Sequence, residues 1–496
     1  MGARTARANF SALASPSEDE RALIESLGHW AGEIGPLHRQ LADALREALE
    51  REFPAGARLP AERRLAALLG VSRTTVVAAY GILRAEGRLE RRRGSGTRVA
   101  RRTSGDPAAR PFGLASVSVF RGLIESTRGA VDFSAAGIGC EEVLTPDLYA
   151  HATAELATLT SGAGYYPYGL PSLRTAIAQH LTKGGLPSRP PEILLTTGAQ
   201  QAISLLARLL APPGTSVVVE DPTYVGALDA FAEAGAHIVG IPIAEQPGQT
   251  AQLEHVLRRE RPSLLYLMPT FHNPTGAVST IPRRRELAAI ASQHDVVLIE
   301  DNTLATLAVG VTPPPPIAAF DTTGHVITIG SLSKSVWAGL RVGWIRAHPN
   351  MIDRLVRLKT VGDLSGSLPS QTLAHAVFAD FERISTLRAT QLDTALQHAC
   401  EQLRTKLPAW TFEPPRGGHS LWLRLPEGNA EAFAQTALKH GVTVIPGPLL
   451  SPTRDWGDHL RLQFLQPPQL INKGIDRLAE AWRDYTQHSQ RLGVLV

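Results

Sequence analysis

SLSKSVWAGLRVGW, residues 331 to 344, sets one lysine among small hydroxyl residues and an arginine seven positions beyond it. The chain holds six lysines against 44 arginines, so Lys334, between Ser331 and Ser333 with Arg341 downstream, stands out from ordinary solvated charge. An amine condenses with an aldehyde to a Schiff base, while two hydroxyls and a guanidinium hold a phosphate. Pyridoxal 5'-phosphate (PLP) carries both groups, and a PLP site is the reading this stretch sets for the rest of the chain. HVITIG, 325 to 330, is a short apolar, β-branched run that reads as a buried strand. Lys334 then falls in the loop past its carboxyl end, where open α/β sheets bind ligands.

Four further strand ends offer what the same cofactor needs. ILLTTGAQQAIS (193 to 204) reads as strand, glycine turn and helix start, so the amides of Gly198, Ala199 and Gln200 can cradle a phosphate. SVVVEDPTYVG (216 to 226) ends in Tyr224, whose ring can stack on a flat heterocycle. LLYLMPTFHNPTG (264 to 276) sends a strand into an Asn-Pro turn, with Asn273 a donor to a phenolate oxygen. DVVLIEDN (295 to 302) closes on Asp301, a carboxylate that can pair with a pyridinium nitrogen and keep it protonated. Each end has an ordinary structural explanation alone; together they supply the groups of one cofactor site.

The chain of 496 residues, 43% hydrophobic, has room for about two to four domains and at least one large core. No apolar run approaches the roughly eighteen residues of a membrane span, and no secretory signal is read at the N-terminus. Cys140 and Cys400 lie far apart and lack metal-ligand spacing, so a cytoplasmic protein without a metal site is expected. Residues 36 to 102 carry 15 arginines and no lysine against 7 acidic residues, an excess of +8 inside a chain whose total is +4. The remainder is net acidic, which assigns a polyanion partner to the small basic module alone.

Residues 1 to 34 form an N-terminal extension in which ERALIESLGHWAGEIG reads as a short helix with no assigned role. From Pro36 the pattern sharpens: Leu37, Leu41, Leu45 and Leu49 repeat every four residues, the apolar stripe of a packed helix. AERRLAALLG (61 to 70) is a second helix stopped by Gly70. VSRTTVVAAYGILRAEG (71 to 87) is a third, capped by Ser72, buried along Val76, Tyr80 and Leu83, and ended by Gly87. Two helices joined at Gly70 and Val71 make a helix-turn-helix, with Arg73, Thr74 and Thr75 in the turn that enters a major groove. LERRRGSGTRV (89 to 99) reads as strand, glycine turn and strand, a wing whose arginines meet phosphate. Residues 102 to 130 shift to Arg, Pro, Gly and Ser as a linker does, and Pro313 to Pro316 reads as a stiff structural turn. From Val131 apolar runs alternate with helical stretches, the pattern of a three-layer α/β domain.

The stretch from Gly56 to Val99 closely resembles the winged helix-turn-helix of GntR-type bacterial regulators, and residues 35 to 101 are taken as that domain. In the family's pattern Arg58, Arg63, Arg73, Thr75 and the wing residues Gly94, Ser95, Gly96 and Thr97 match DNA-contact positions, with Ser72 and Thr74 beside them. Val77 stands where some members place a further arginine. YYPYGLPSLR, TTGAQQ, DPTY, FHNPTG, IEDN and SLSK followed by GLRVGW resemble the fold type I aminotransferases, and residues 131 to 496 are taken as that PLP-binding domain. The fusion of the two resembles the MocR subfamily of transcription regulators.

That resemblance implies a three-layer α/β/α domain with a smaller C-terminal α+β subdomain. It makes Lys334 the Schiff-base lysine, Asp301 the pyridinium partner and Asn273 the donor to the ring oxygen. Tyr224 stacks, while Gly198, Ala199, Gln200, Ser331, Ser333 and Arg341 hold phosphate. Thr303 replaces the tyrosine that many relatives place near the ring oxygen, a departure that counts against efficient transamination. Arg461, in HLRLQFL (459 to 465), matches an arginine that grips a substrate carboxylate in bidentate fashion. A homodimer is implied, with Tyr165 or Tyr166 crossing to the partner's phosphate. The first functional expectation is a regulator of double-stranded promoter DNA that senses PLP or an amino compound through an aldimine at Lys334, with weak or vestigial transaminase activity. The alternative is an active aminotransferase with a fused DNA-binding domain.

Overall fold

The computed structural model describes residues 18–27, 37–51, 53, 57–85, 88–92, 96–99, 129–134, 137, 139–242 and 249–493. It divides into two compact units, Met1–Leu114 and Ala115–Val496. The first opens with helices α1 (Glu18–Leu27), α2 (Leu37–Arg51), α3 (Glu62–Leu69) and α4 (Arg73–Ala85). A hairpin of β1 (Leu89–Arg92) and β2 (Gly96–Val99) follows, antiparallel with Leu89 opposite Val99. Leu41, Leu45 and Leu49 turn inward onto Leu65, Val76, Tyr80 and Leu83, whereas Leu37 is left 45% exposed, so the stripe begins one turn later than its spacing suggests. Gly70 takes the left-handed φ of 68° that ends α3 and turns the chain into α4. Ser72 Oγ accepts from the Thr75 amide at 3.1 Å, satisfying one of the free donors at the start of α4. The extension adds α1, whose Leu23 and Leu27 close the same core while Glu20 accepts two 3.1 Å bonds from Arg64. Gly87, Gly94, Ser95 and most of the expected linker lie outside the described residues.

In the second unit the strands are β3 (Val131–Asp132), β4 (Ile193–Thr196), β5 (Ser216–Asp221), β6 (His237–Pro242), β7 (Leu264–Leu267), β8 (Val297–Asp301), β9 (Val326–Ser331), β10 (Gly343–Arg346), β11 (Ser420–Arg424), β12 (Val442–Thr443), β13 (Ile445–Pro446) and β14 (His459–Gln463). A seven-stranded sheet runs β4-β10-β9-β8-β7-β5-β6, parallel except for β10, which is antiparallel to both its neighbours. Its strands are apolar on both sides because helices cover both. Val217, Val219, Leu264, Ile299 and Ile327 face a core with helices α5 (Ala199–Leu210) and α6 (Val225–Glu233). Val218, Leu265, Leu298 and Val326 face the opposite core with α7 (Gln249–Glu260) and α8 (Ile281–Gln293). The result is the expected α/β/α domain of three layers.

Beyond the long helix α9 (Phe381–Lys406), a smaller antiparallel sheet of order β11-β14-β13 packs with α10 (Ala430–Lys439) and α11 (Pro468–Gly493) as the α+β subdomain. The start of the unit joins it, since β3 pairs in parallel with β12. Strands β8 and β9 end side by side, so Asp301 and the loop after Ser331 open at the same carboxyl edge.

Candidate functional site

Lys334 lies three residues past the end of β9, and its loop is fixed from two sides. Ser331 Oγ contacts the Val342 carbonyl at 3.1 Å and Ser333 Oγ at 3.0 Å, and accepts from the Ser333 amide at 3.1 Å. From α9, the buried Arg388 donates to the carbonyls of Ser335 at 3.0 Å, Val336 at 2.6 Å and Gly139 at 2.6 Å. Ser331 is therefore a brace of the loop, its hydroxyl satisfied within it, and Ser333 is the more accessible of the two serines. Burial depresses the half-buried Lys334 amine to about 8, with the positive charges of Arg461 and Arg341 acting in the same direction.

Arg341 sits in the left-handed region, φ 54°, at the turn before β10. Its guanidinium lies over Gly198, where an added Cβ would come 3.2 Å from Nη2, and Gly198 itself takes φ 120°. Gly343 packs so closely on Gly198 that a Cβ there would approach its carbonyl carbon to 2.7 Å. These two glycines let β10 and the start of α5 meet, bringing the Ala199 and Gln200 amides to the guanidinium side. The Gln200 side chain is engaged elsewhere: Nε2 donates to the Gly226 carbonyl at 2.8 Å, and Oε1 accepts from Tyr224 at 3.0 Å. Tyr224 is held by that bond, and burial leads the causes that raise its phenol to about 12.

Asp301 is 2% exposed and accepts three hydrogen bonds, from the Thr303 amide at 2.9 Å, the Thr303 hydroxyl at 2.5 Å and the Tyr266 hydroxyl at 2.8 Å. Burial pushes its carboxyl up, against the pull of those donors. The Thr303 hydroxyl thus gives its hydrogen to Asp301. Asn273, 4% exposed, accepts through Oδ1 from Arg461 Nη1 at 3.1 Å, leaving its amide nitrogen as the donor. Arg461 also donates to the Ser134 carbonyl at 2.7 Å while its buried Nε has no hydrogen-bond partner. Burial lowers its pKa to about 10. Of the paired tyrosines, Tyr165 is 65% exposed, whereas Tyr166 packs on the core and its amide donates to Ser365 Oγ at 3.1 Å.

Sequence reasoning missed Tyr266, because a tyrosine inside LLYL reads as core, and His419. His419 is 3% exposed with an unpartnered Nδ1; burial, then the charges of Lys334 and Arg461, hold its pKa well below the ordinary value. The assembled donor set fits PLP: a partly shielded amine of lowered pKa, a buried carboxylate, and a glycine at a helix start beneath a guanidinium. No group of three or more His, Cys, Asp or Glu among the described residues is arranged for a metal ion.

In the first unit Arg58, Arg63, Ser72, Arg73 and Thr74 are exposed and Thr75 is half-buried. Ser72 Oγ lies 2.7 Å from Thr74 Oγ1 and 2.8 Å from Thr75 Oγ1, so the three hydroxyls cluster at the start of α4. Arg58 bridges to Arg98 and sits beside the wing, in which Gly96 opens β2. Thr97 is only 5% exposed, because its strand pairs inward with the Leu59 segment; its side chain is withdrawn from a DNA-facing surface, contrary to the expectation.

Residues 140–478 match the family described as aminotransferase class I and II, and residues 37–99 match the bacterial regulatory proteins of the gntR family. The HTH-type transcriptional regulator YdfD of Bacillus subtilis (strain 168) is 29% identical over 465 residues, covering 89% of this chain and 95% of the relative. The probable rhizopine catabolism regulatory protein MocR of Rhizobium meliloti is 32% identical over 366 residues, 70% of this chain and 71% of that protein. Among solved structures, LysN, the alpha-aminoadipate aminotransferase of Thermus thermophilus complexed with N-(5'-phosphopyridoxyl)-L-leucine, superposes with a TM-score of 0.67 at 30% identity. That likeness covers 74% of this chain and 94% of LysN. The cofactor implied by this fold and donor set is PLP. The chain belongs to the aminotransferase class I and II family and, with a gntR-family domain ahead of that fold, to the MocR-type regulators in which the two are fused.

Proposed function

We propose that the chain is a DNA-binding transcription regulator whose aminotransferase-like domain takes up PLP and an amino compound at Lys334, and whose winged domain changes its hold on a promoter in response. The observation that carries this reading is the Lys334 amine, depressed to about 8 at the same sheet edge as Asp301 and within the field of Arg461. PLP, when bound, supplies an aldehyde and an electron sink. Lys334 supplies the unprotonated amine, Asp301 the partner of the pyridinium nitrogen, Asn273 a donor for the ring oxygen and Tyr224 a stacking face. The Gly198, Ala199 and Gln200 amides, Ser333 and Arg341 hold phosphate, while Ser331 keeps their loop in shape. Arg461 holds the carboxylate of the amino compound. On the DNA side Arg58, Arg63, Arg73, Ser72, Thr74 and Thr75 present the reading surface.

Two copies pair in this proposal, which would set paired half-sites on the promoter, direct or inverted. Tyr165 is the tyrosine to cross: it is exposed together with Leu364 at 58% and Val361 at 80%, while Tyr166 is packed in its own subunit. The site of action is the cytoplasm, in keeping with two free, separated cysteines. The test is binding of the full chain to fragments of its own locus at low salt, with and without PLP. Retention of one fragment over the others is expected; failure to bind any of them would contradict the reading.

A second reading, a working aminotransferase, is favoured by Arg461, a buried guanidinium beside Asn273 with one nitrogen still open. The loss of Thr303 to Asp301 weighs against it. Sustained conversion of an amino acid and a keto acid would establish it, and a single spectral change without turnover would favour the regulator.

A further inference from the structure

Tyr266 is fully buried in the middle of β7, on the face that packs with Phe231, whose ring meets its own edge-on at 5.7 Å. A phenol there costs free energy unless its hydroxyl finds a partner, and the partner it has is Asp301 Oδ2, at 2.8 Å. A carboxylate offers about four acceptor directions. Thr303 fills two of them on Oδ1 through its amide and hydroxyl, and Tyr266 fills one on Oδ2. The open direction is the second one on Oδ2.

We infer that Tyr266 is a positioning residue of the cofactor site, fixing Asp301 so that Oδ2, the oxygen it already bonds, is the one presented to the pyridinium nitrogen of PLP. The inference rests on the reading of Asp301 given above and goes beyond it by naming the oxygen and the residue that sets it. Donors to an ionised carboxylate favour its charged form. Burial opposes that form at Asp301, and the Thr303 hydroxyl, the Thr303 amide and the Tyr266 hydroxyl act against that opposition.

The experiment is an absorbance titration of the full chain with PLP across pH, for the wild type, Tyr266→Phe, Thr303→Val, Asp301→Asn and Tyr266→Phe/Asp301→Asn, with thermal melting of each PLP-free chain as a control of folding. Beyond the loss as Lys334 takes a proton through about 8, which every variant shares, wild-type affinity should fall as Asp301 takes a proton. Tyr266→Phe should move that fall to higher pH and weaken binding by about tenfold near neutrality, and should add no further loss on top of Asp301→Asn. Thr303→Val should shift the fall in the same direction, and it carries the test if the Phe variant melts early. The same factor lost at every pH, or the full loss added to Asp301→Asn, would overturn the inference while leaving the site reading intact. A wild type that takes up no PLP would overturn both.

Discussion

One amine held near 8 by burial and by two neighbouring arginines behaves differently from a lysine at the ordinary 10.5. Its pKa is lowered, so the uncharged form that attacks an aldehyde grows as pH rises through about 8 and is nearly complete well below the pH an exposed lysine needs. The rate of PLP uptake, followed by absorbance, should reach half its limit near pH 8; a rate still climbing toward pH 10 would contradict the assignment. Arg461 offers a planar two-point grip that a lysine cannot reproduce. Arg461→Lys should raise the amino-acid concentration needed for a spectral change by about tenfold or more, measured on the PLP-bound chain. Asp301 closes β8, while Lys334 and Asn273 stand three and six residues past β9 and β7, places that the apolar runs before them mark in the sequence. Tyr266 and Thr303 were not legible in their roles: the first hides in a strand's apolar run, and the second bonds Asp301, a partner that spacing does not reveal.

At the scale of elements, the strands and the helix-turn-helix follow from periodicity and glycine stops, while the braces between elements do not. Arg284, on α8 and fully buried, donates to the carbonyls of Pro269, Ser279, Pro314 and Pro315 and to Thr270 Oγ1. It ties the proline-rich turn to the strand end that leads to Asn273, a bond set invisible in the sequence because four of its five acceptors are backbone carbonyls. Arg284→Met would leave the Ser279, Pro314 and Pro315 carbonyls without the donor they have, each at about 1–3 kcal/mol, so a loss of at least about 3 kcal/mol is expected in urea denaturation. A loss under about 1 kcal/mol would mean that water replaces the guanidinium. In the winged unit the leucine stripe was read correctly from its second member onward, and Thr97 was misread because a strand alternates its faces and this one turns inward.

For the whole molecule, the +8 excess of residues 36 to 102 within a chain of +4 makes DNA binding the salt-sensitive function. Arg73→Ala should weaken binding to a preferred fragment by about 1–3 kcal/mol if it reads a base, and less on unrelated DNA. Equal loss on all fragments would make Arg73 a phosphate contact. The fusion of the two domains was legible from two sets of motifs; the effector and the promoter are carried by neither. In the proposed regulator, occupancy at Lys334 is felt at the DNA. Titrating one labelled promoter fragment with the wild type and with Lys334→Ala, each with and without PLP and an amino acid panel, tests it most directly. PLP or an amino acid should change the affinity or the footprint of the wild type and leave the alanine variant's unaltered. The same change in both proteins, or none in the wild type, would contradict it.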